Sequence, residues 1–144
     1  MANKDTLQLL KACESGIHMA LTALEEVGQH VHLPELQQIL DAAGQQHRLL
    51  QRECGVLLEK SGRPQRELNP ALRKMAVMKI SMKLGMDRTD SAAATVVAEG
   101  CQMGVLSLYR ELNGCPGAHT PARALCRTLC AIEEQLIRDM GRFL

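Results

Sequence analysis

Apolar residues recur at intervals of three and four along nearly the whole chain, and turn-forming residues cut that pattern into five helical segments. From Thr6 to about Val27 the stripe is Leu7, Leu10, Cys13, Ile17, Ala20, Leu21 and Leu24, with Asp5 or Thr6 as a cap and Gly28 as the stop. Pro34 suits the first turn of a second helix, whose stripe of Leu36, Ile39, Leu40, Ala43, His47, Leu50, Cys54, Leu57 and Leu58 runs to about Lys60. Ser61-Gly62-Arg63-Pro64 ends it. Asn69-Pro70 opens a third segment, Leu72 to Met86, with two apolar faces: Met75, Met78, Met82 and Met86 on one, Val77, Ile80 and Leu84 on the other. The fourth runs from Arg88 to Gly114, with Thr89 or Asp90 as its cap and Gly114 as a left-handed terminator. Its apolar groups occupy most of the circumference, which predicts a helix at the middle of a bundle. Thr120-Pro121 begins the last helix, which turns Leu125, Leu129, Ile132, Leu136, Met140 and Phe143 inward. Arg123, Arg127, Arg138 and Arg142 read as its solvated face, with Glu134 spaced to pair with Arg138.

No segment has the two-residue alternation of a strand, so the pattern predicts an all-α bundle in a single domain, residues 1–144. The first two helices and the last two each join through a short turn. Between the pairs lies the Met-rich segment; a helix of roughly sixteen residues spans ~24 Å, enough to return the chain along a bundle. That connection predicts parallel second and fourth helices, with the two short turns at opposite ends.

Composition narrows the function more than the fold. Seventeen basic and sixteen acidic residues give a net charge near +1, which argues against a nucleic-acid footprint over the whole molecule. One Tyr, one Phe and no Trp leave no stacking platform for bases. No uninterrupted apolar run reaches the length of a membrane span, and the first residues lack the apolar core of a signal peptide, so the expected location is cytoplasmic. Cys13, Cys54, Cys101, Cys115, Cys126 and Cys130 form no C-x-x-C pair and read as small apolar residues of a reducing compartment.

Ala98-Glu99-Gly100-Cys101-Gln102-Met103-Gly104, the downstream Leu108-Tyr109 and Leu112-Asn113, and the closing Glu133-Glu134-Gln135-Leu136-Ile137 with Phe143-Leu144 resemble a bacterial family of ferritin-like domains of unknown function, in the rubrerythrin/ferritin-like superfamily. The resemblance covers nearly the whole chain and implies a ferritin-like four-helix bundle with an additional Met-rich crossover helix at about 70–86. It implies no activity.

Di-iron proteins of that general fold use two Glu-x-x-His pairs, and neither exists here: Gly44 precedes His47 by three residues and Ile137 follows Glu134 by three. Each long helix nevertheless carries one ionisable residue near its middle: Glu14, His47, Glu99 and Glu133. Three carboxylates and an imidazole form a donor set for one iron, manganese or zinc ion, or else a hydrogen-bonded network. His30-x-His32 has chelating spacing but is better read as surface histidine, and Gly100-x-x-x-Gly104 as close helix packing. There is no G-x-S-x-G, phosphate-binding glycine loop or H-E-x-x-H. The expected function is a non-catalytic structural or protein-interaction module, meeting a second copy or a partner through the Met75/Met78/Met82 helix and using no cofactor. The alternative is a metal-binding oxidoreductase or metal store on the four residues above. Arg73, Lys74, Lys79 and Lys83 interleave with the methionines, but the two sets do not separate cleanly, so no stable membrane association is expected.

Overall fold

The computed structural model describes residues 3–144. Five helices pack as a bundle: α1 (Lys4–Gly28), α2 (Pro34–Lys60), α3 (Pro70–Met86), α4 (Asp90–Gly114) and α5 (Thr120–Met140), followed by a short 3-10 turn at Gly141–Phe143. The starts follow from local chemistry. Asn3, Asn69 and Thr89 each accept a backbone N–H of the first turn through their side chains, from Thr6, Ala71 and Ala92 respectively. α2 and α5 instead begin with a proline in the first turn and no side-chain cap. Gly62, at φ +79°, provides the left-handed residue that turns the chain out of α2. Gly114 does not play that part; it stays helical, and Cys115 leaves the helix at φ −122°.

Hydrogen bonds at the two ends fix the direction of every helix. At one end the Asp90 carboxylate accepts the backbone N–H of His32 and of Leu33, each at 2.8 Å, so the α1–α2 turn is tied to the first residue of α4. At the other end Gly117 donates to Asp5 at 2.8 Å, Asn3 donates to the Gly117 carbonyl at 2.7 Å, and the His119 N–H reaches Thr6 Oγ1 at 2.8 Å. The two short turns therefore lie at opposite ends, and α2 and α4 run parallel. The return path starts as an extended strip along α1, where the Arg66 N–H donates to Glu14 at 3.0 Å. α3 completes it, with Ser81 Oγ donating to Glu26 at 2.9 Å.

The core falls into two apolar layers along the bundle. One, toward the Gly117 end, is built on Leu9, Leu10, Cys13, Ile17, Leu50, Leu108 and Leu129. The other, toward the Asp90 end, is built on Leu24, Val27, Leu36, Leu40, Ile80, Leu84, Val97 and Leu136. Each fully buried Leu, Ile or Val contributes roughly 1.5–3 kcal/mol. The helix at the centre is α1, which touches all four others; α4 packs mainly on α5 and α1 and leaves Met103, Leu106 and Tyr109 exposed. The expectation of a central fourth helix fails because a continuous apolar circumference measures composition, whereas burial needs neighbours on every side. α4 is also the one described helix long and apolar enough to cross a membrane, with mean hydropathy 1.2 over eighteen residues and 39% of that window buried in the bundle. It is the interruption by Glu99 and Gln102 that kept it from reading as an apolar run.

The arginine face of α5 is less uniform than expected. Arg123 turns back to donate to the Leu112 and Cys115 carbonyls at 3.3 and 3.0 Å, placing a cation at the negative end of α4. Arg142 pairs with Glu35 at 3.3 Å, and Arg138 donates to Gln135 rather than to Glu134. Replacing Asp90 by alanine removes two acceptor contacts and the tie between α2 and α4. It is expected to lower unfolding free energy by about 1 kcal/mol in chemical denaturation.

Candidate functional site

His47 and Glu133 sit between the two apolar layers, one on α2 and one on α5. His47 is 0% exposed and Glu133 is 4% exposed. His47 Nδ1 lies 2.7 Å from the Ala43 carbonyl. A carbonyl only accepts, so Nδ1 carries the hydrogen and, in the neutral ring, Nε2 presents its lone pair. That lone pair faces Glu133 Oε1 at 3.7 Å, outside hydrogen-bond range. His47 Nε2 and Glu133 Oε2 have no hydrogen-bond partner in the protein. His47 Nε2 and Glu133 Oε1 thus face each other at 3.7 Å between the two apolar layers, an arrangement that a proton, a water or a cation would satisfy.

Glycine makes the space for this carboxylate. A Cβ built on Gly104 of α4 would lie 2.6 Å from Glu133 Oε2. The second glycine of the G-x-x-x-G motif therefore does allow close approach, but to a side chain of α5. Gly100 meets nothing and is exposed.

The other two members of the four-residue set are elsewhere. Glu14 is half-buried and turned to the extended strip, where it accepts from Arg66. Glu99 is exposed on α4. Among the described residues no three His, Cys, Asp or Glu side chains come together in a way that would hold a metal ion. Of Glu14, His47, Glu99 and Glu133, only His47 and Glu133 come together, and the described residues do not form the di-metal centre known from ferritin-like proteins. Periodicity fixed the depth of these residues along their helices; azimuth decided which of them met. His30 and His32 also diverge, the first lying 3.4 Å from Glu26 and the second 3.1 Å from the Arg88 carbonyl.

All six cysteines are free and buried. Burial, with the Glu133 charge as a lesser cause, pushes the Cys101 thiol up to about 12, and burial followed by the Glu14 charge does the same for Cys54. Proximity to Cys126, together with burial, holds the Cys13 and Cys130 thiols above the ordinary range, and Cys126 donates its own S–H to the Leu108 carbonyl at 3.8 Å. Cys54 Sγ also lies 3.5 Å from the Leu10 carbonyl it donates to. Protonated thiols in an apolar layer act as packing groups.

On the surface the single tyrosine, Tyr109, donates its hydroxyl to Glu134 Oε1 at 2.6 Å. Glu134 thus meets Tyr109, while Arg138 donates to Gln135. The hydrogen bond exists only while the phenol is neutral, and ionisation would set two negative charges side by side. Both effects raise the Tyr109 pKa.

No protein-family model matches the chain, and no curated protein matches it. The fold has a solved counterpart. The crystal structure of a conserved hypothetical protein, rv2844, from Mycobacterium tuberculosis aligns with a TM-score of 0.68 over 97% of this chain and 96% of that one, at 14% sequence identity. The chain is similar in fold to that protein, and an identity this low carries nothing about function.

Two measurements test the site. Glu133→Gln replaces an oxygen facing the His47 lone pair by an N–H donor. It is expected to hold stability or raise it by about 1 kcal/mol, whereas Glu133→Ala is expected to cost about 2 kcal/mol or more. Gly104→Ala, forced against Glu133, is expected to cost about 1–3 kcal/mol. A Gln variant as unstable as the Ala variant would show that the negative charge itself is required. Ultraviolet titration of Tyr109 is expected to give a midpoint above the ordinary phenol value, which Glu134→Gln brings down. Because the folded-state value is the raised one, the stabilisation is present below the unfolded phenol's midpoint and is lost as pH rises through the folded one.

Proposed function

We propose that this protein is a non-catalytic bundle of the ferritin-like arrangement that works as a protein-interaction module, with the outward face of α3 as its contact surface. The arrangement is supported by two antiparallel helix pairs, parallel α2 and α4, and a long return connection that carries a helix of its own. One observation carries the function. Met75, Met78, Met82 and Met86 all stand exposed along one side of α3, and Leu72 extends the apolar surface at its start. Ile80 and Leu84 bury the opposite side, so α3 needs none of those methionines to hold it on the bundle. A surface of adaptable, apolar side chains with no role in folding is the signature of a contact face. The six buried free thiols support a reducing compartment, in keeping with a cytoplasmic location.

A second reading, a metal store or metal-dependent oxidoreductase, draws on the two unpartnered acceptors of His47 and Glu133. Two donors fall short of the three or four protein ligands of ordinary zinc sites, so the interaction reading is preferred. Stoichiometric iron, manganese or zinc in protein purified without an affinity tag would reverse that preference.

The interaction reading is tested by oxidising the methionines with dilute peroxide and reading the sulfoxides by mass spectrometry, in intact cells and in purified protein. Met75, Met78, Met82 and Met86 are expected to be protected in cells, while Met103, 72% exposed on α4, is oxidised equally in both. Equal rates at all five positions would refute the contact face. Light scattering of the purified chain separates self-association from a different partner.

A further inference from the structure

The α3 face has a charge pattern as well as an apolar one. At 3.6 residues per turn, Met75, Met78, Met82 and Met86 fall within an arc of about 80°, roughly opposite Ile80 and Leu84. Lys74 borders that arc on one side and Lys79 and Lys83 on the other, all three exposed. From Met75 to Met86 the strip is ~16 Å long, three turns of helix. No acidic residue occurs from Leu68 through Met86, and neither these lysines nor Arg73 takes part in any ion pair among the described residues. The cations that frame the methionines are therefore uncompensated.

From this pattern we infer that the occupant of the α3 face is an amphipathic helix of another protein whose apolar ridge is bordered by Asp and Glu. The inference rests on the reading of α3 as a contact face and adds the chemistry of what binds there. A helix laid along the strip places its apolar side chains on the methionines and its acidic borders on Lys74, Lys79 and Lys83. A second copy of this chain is the wrong occupant for a symmetric contact. Two-fold pairing of α3 with itself sets the Lys79 and Lys83 border against its own image, with no acid in the helix to offset the repulsion. An anionic bilayer shares the charge complementarity but matches the face less well. The apolar arc is narrow and made of methionine, without the aromatic residues that anchor interfacial helices.

The test uses the full chain and two synthetic helical peptides with the same Leu/Met ridge, one bordered by Glu and the other by Lys, each followed by fluorescence anisotropy. The Glu peptide is expected to bind at least about tenfold more tightly than the Lys peptide, and to weaken as salt is raised. Lys79→Glu with Lys83→Glu is expected to reverse that order; both positions are exposed, so the fold is not at risk. Equal affinity for the two peptides, no binding of either, or an order unchanged by the double substitution would overturn the acidic partner. Cosedimentation with phosphatidylglycerol vesicles that the Glu peptide cannot displace would overturn it in favour of a membrane. Met78→Ser with Met82→Ser distinguishes the two levels. If the Glu peptide binds this variant as tightly as the parent, the contact face itself fails, whereas charge-independent binding that the serines abolish removes only the acidic borders.

Discussion

The bundle depends on the burial of α1. It is the helix every other one touches, and Leu9, Leu10, Cys13, Ile17, Leu24 and Val27 along it feed both apolar layers. Lys4, Gln8, Lys11, Ser15 and Glu25 keep only one strip of it in solvent, and the small residue Gly16 lets its neighbours come near. At Gly16 a Cβ would only just reach the methyl groups of Leu108 and Leu129, so packing is close without being strained. With α1 covered by α2, α4 and α5, one groove is still open toward the Asp90 end. α3 fills that groove with Ile80 and Leu84, and the return connection thereby becomes part of the core.

Two apolar layers alone would slide past one another, since Leu and Val make contacts with little preference for register. The His47–Glu133 layer is a different kind of constraint. Each residue is committed by a neighbour of the right kind: His47 by the Ala43 carbonyl one turn back, Glu133 by the missing side chain at Gly104. Shifting α5 by one residue along α4 would drive the carboxylate against backbone or Cβ and lose the facing imidazole. Buried polar groups generally cost stability compared with apolar ones and gain specificity where a register must be chosen. The cysteine layer below makes no such demand, because a protonated thiol packs like a small apolar group.

Much of this was legible in the residues, and the reason lies in which physics is local. Helix ends depend on neighbours in sequence, so Asn69-Pro70, Thr89-Asp90 and Ser61-Gly62 could be read directly, and α3 begins and ends where its pattern says. The two apolar faces of α3 were also readable, because the Met75, Met78, Met82 and Met86 set and the Ile80 and Leu84 set are separated by angle on one helix. Contacts between helices were less accessible. Glu14, His47, Glu99 and Glu133 all sit at mid-helix, but whether they meet depends on the rotation of each helix about its axis. That rotation is set by what the remaining side chains bury, and α4, apolar on most sides, left its own undetermined. The Asp90 clamp and the Tyr109–Glu134 contact were invisible for the same reason: each joins residues that only the assembled bundle brings together.

The return connection also bears on why α3 looks as it does. A segment that runs the length of a bundle must lie outside it, with one side on the helices and one in solvent. Topology asks only that the inner side be apolar, and Ile80 and Leu84 meet that need with Ala76 and Val77 half-buried beside them. For the outer side, Glu, Gln or Lys would form helix as well as Met does and would keep the surface free of an apolar strip. Exposed methionines over three turns are therefore not required by the fold, and the proposed contact face rests on them. Their cost, a surface prone to unwanted contacts, falls on the free molecule and disappears when the face is covered. On the proposed reading the lysines on both borders limit that cost, because they would repel another copy of the same face while leaving it open to a helix of opposite charge.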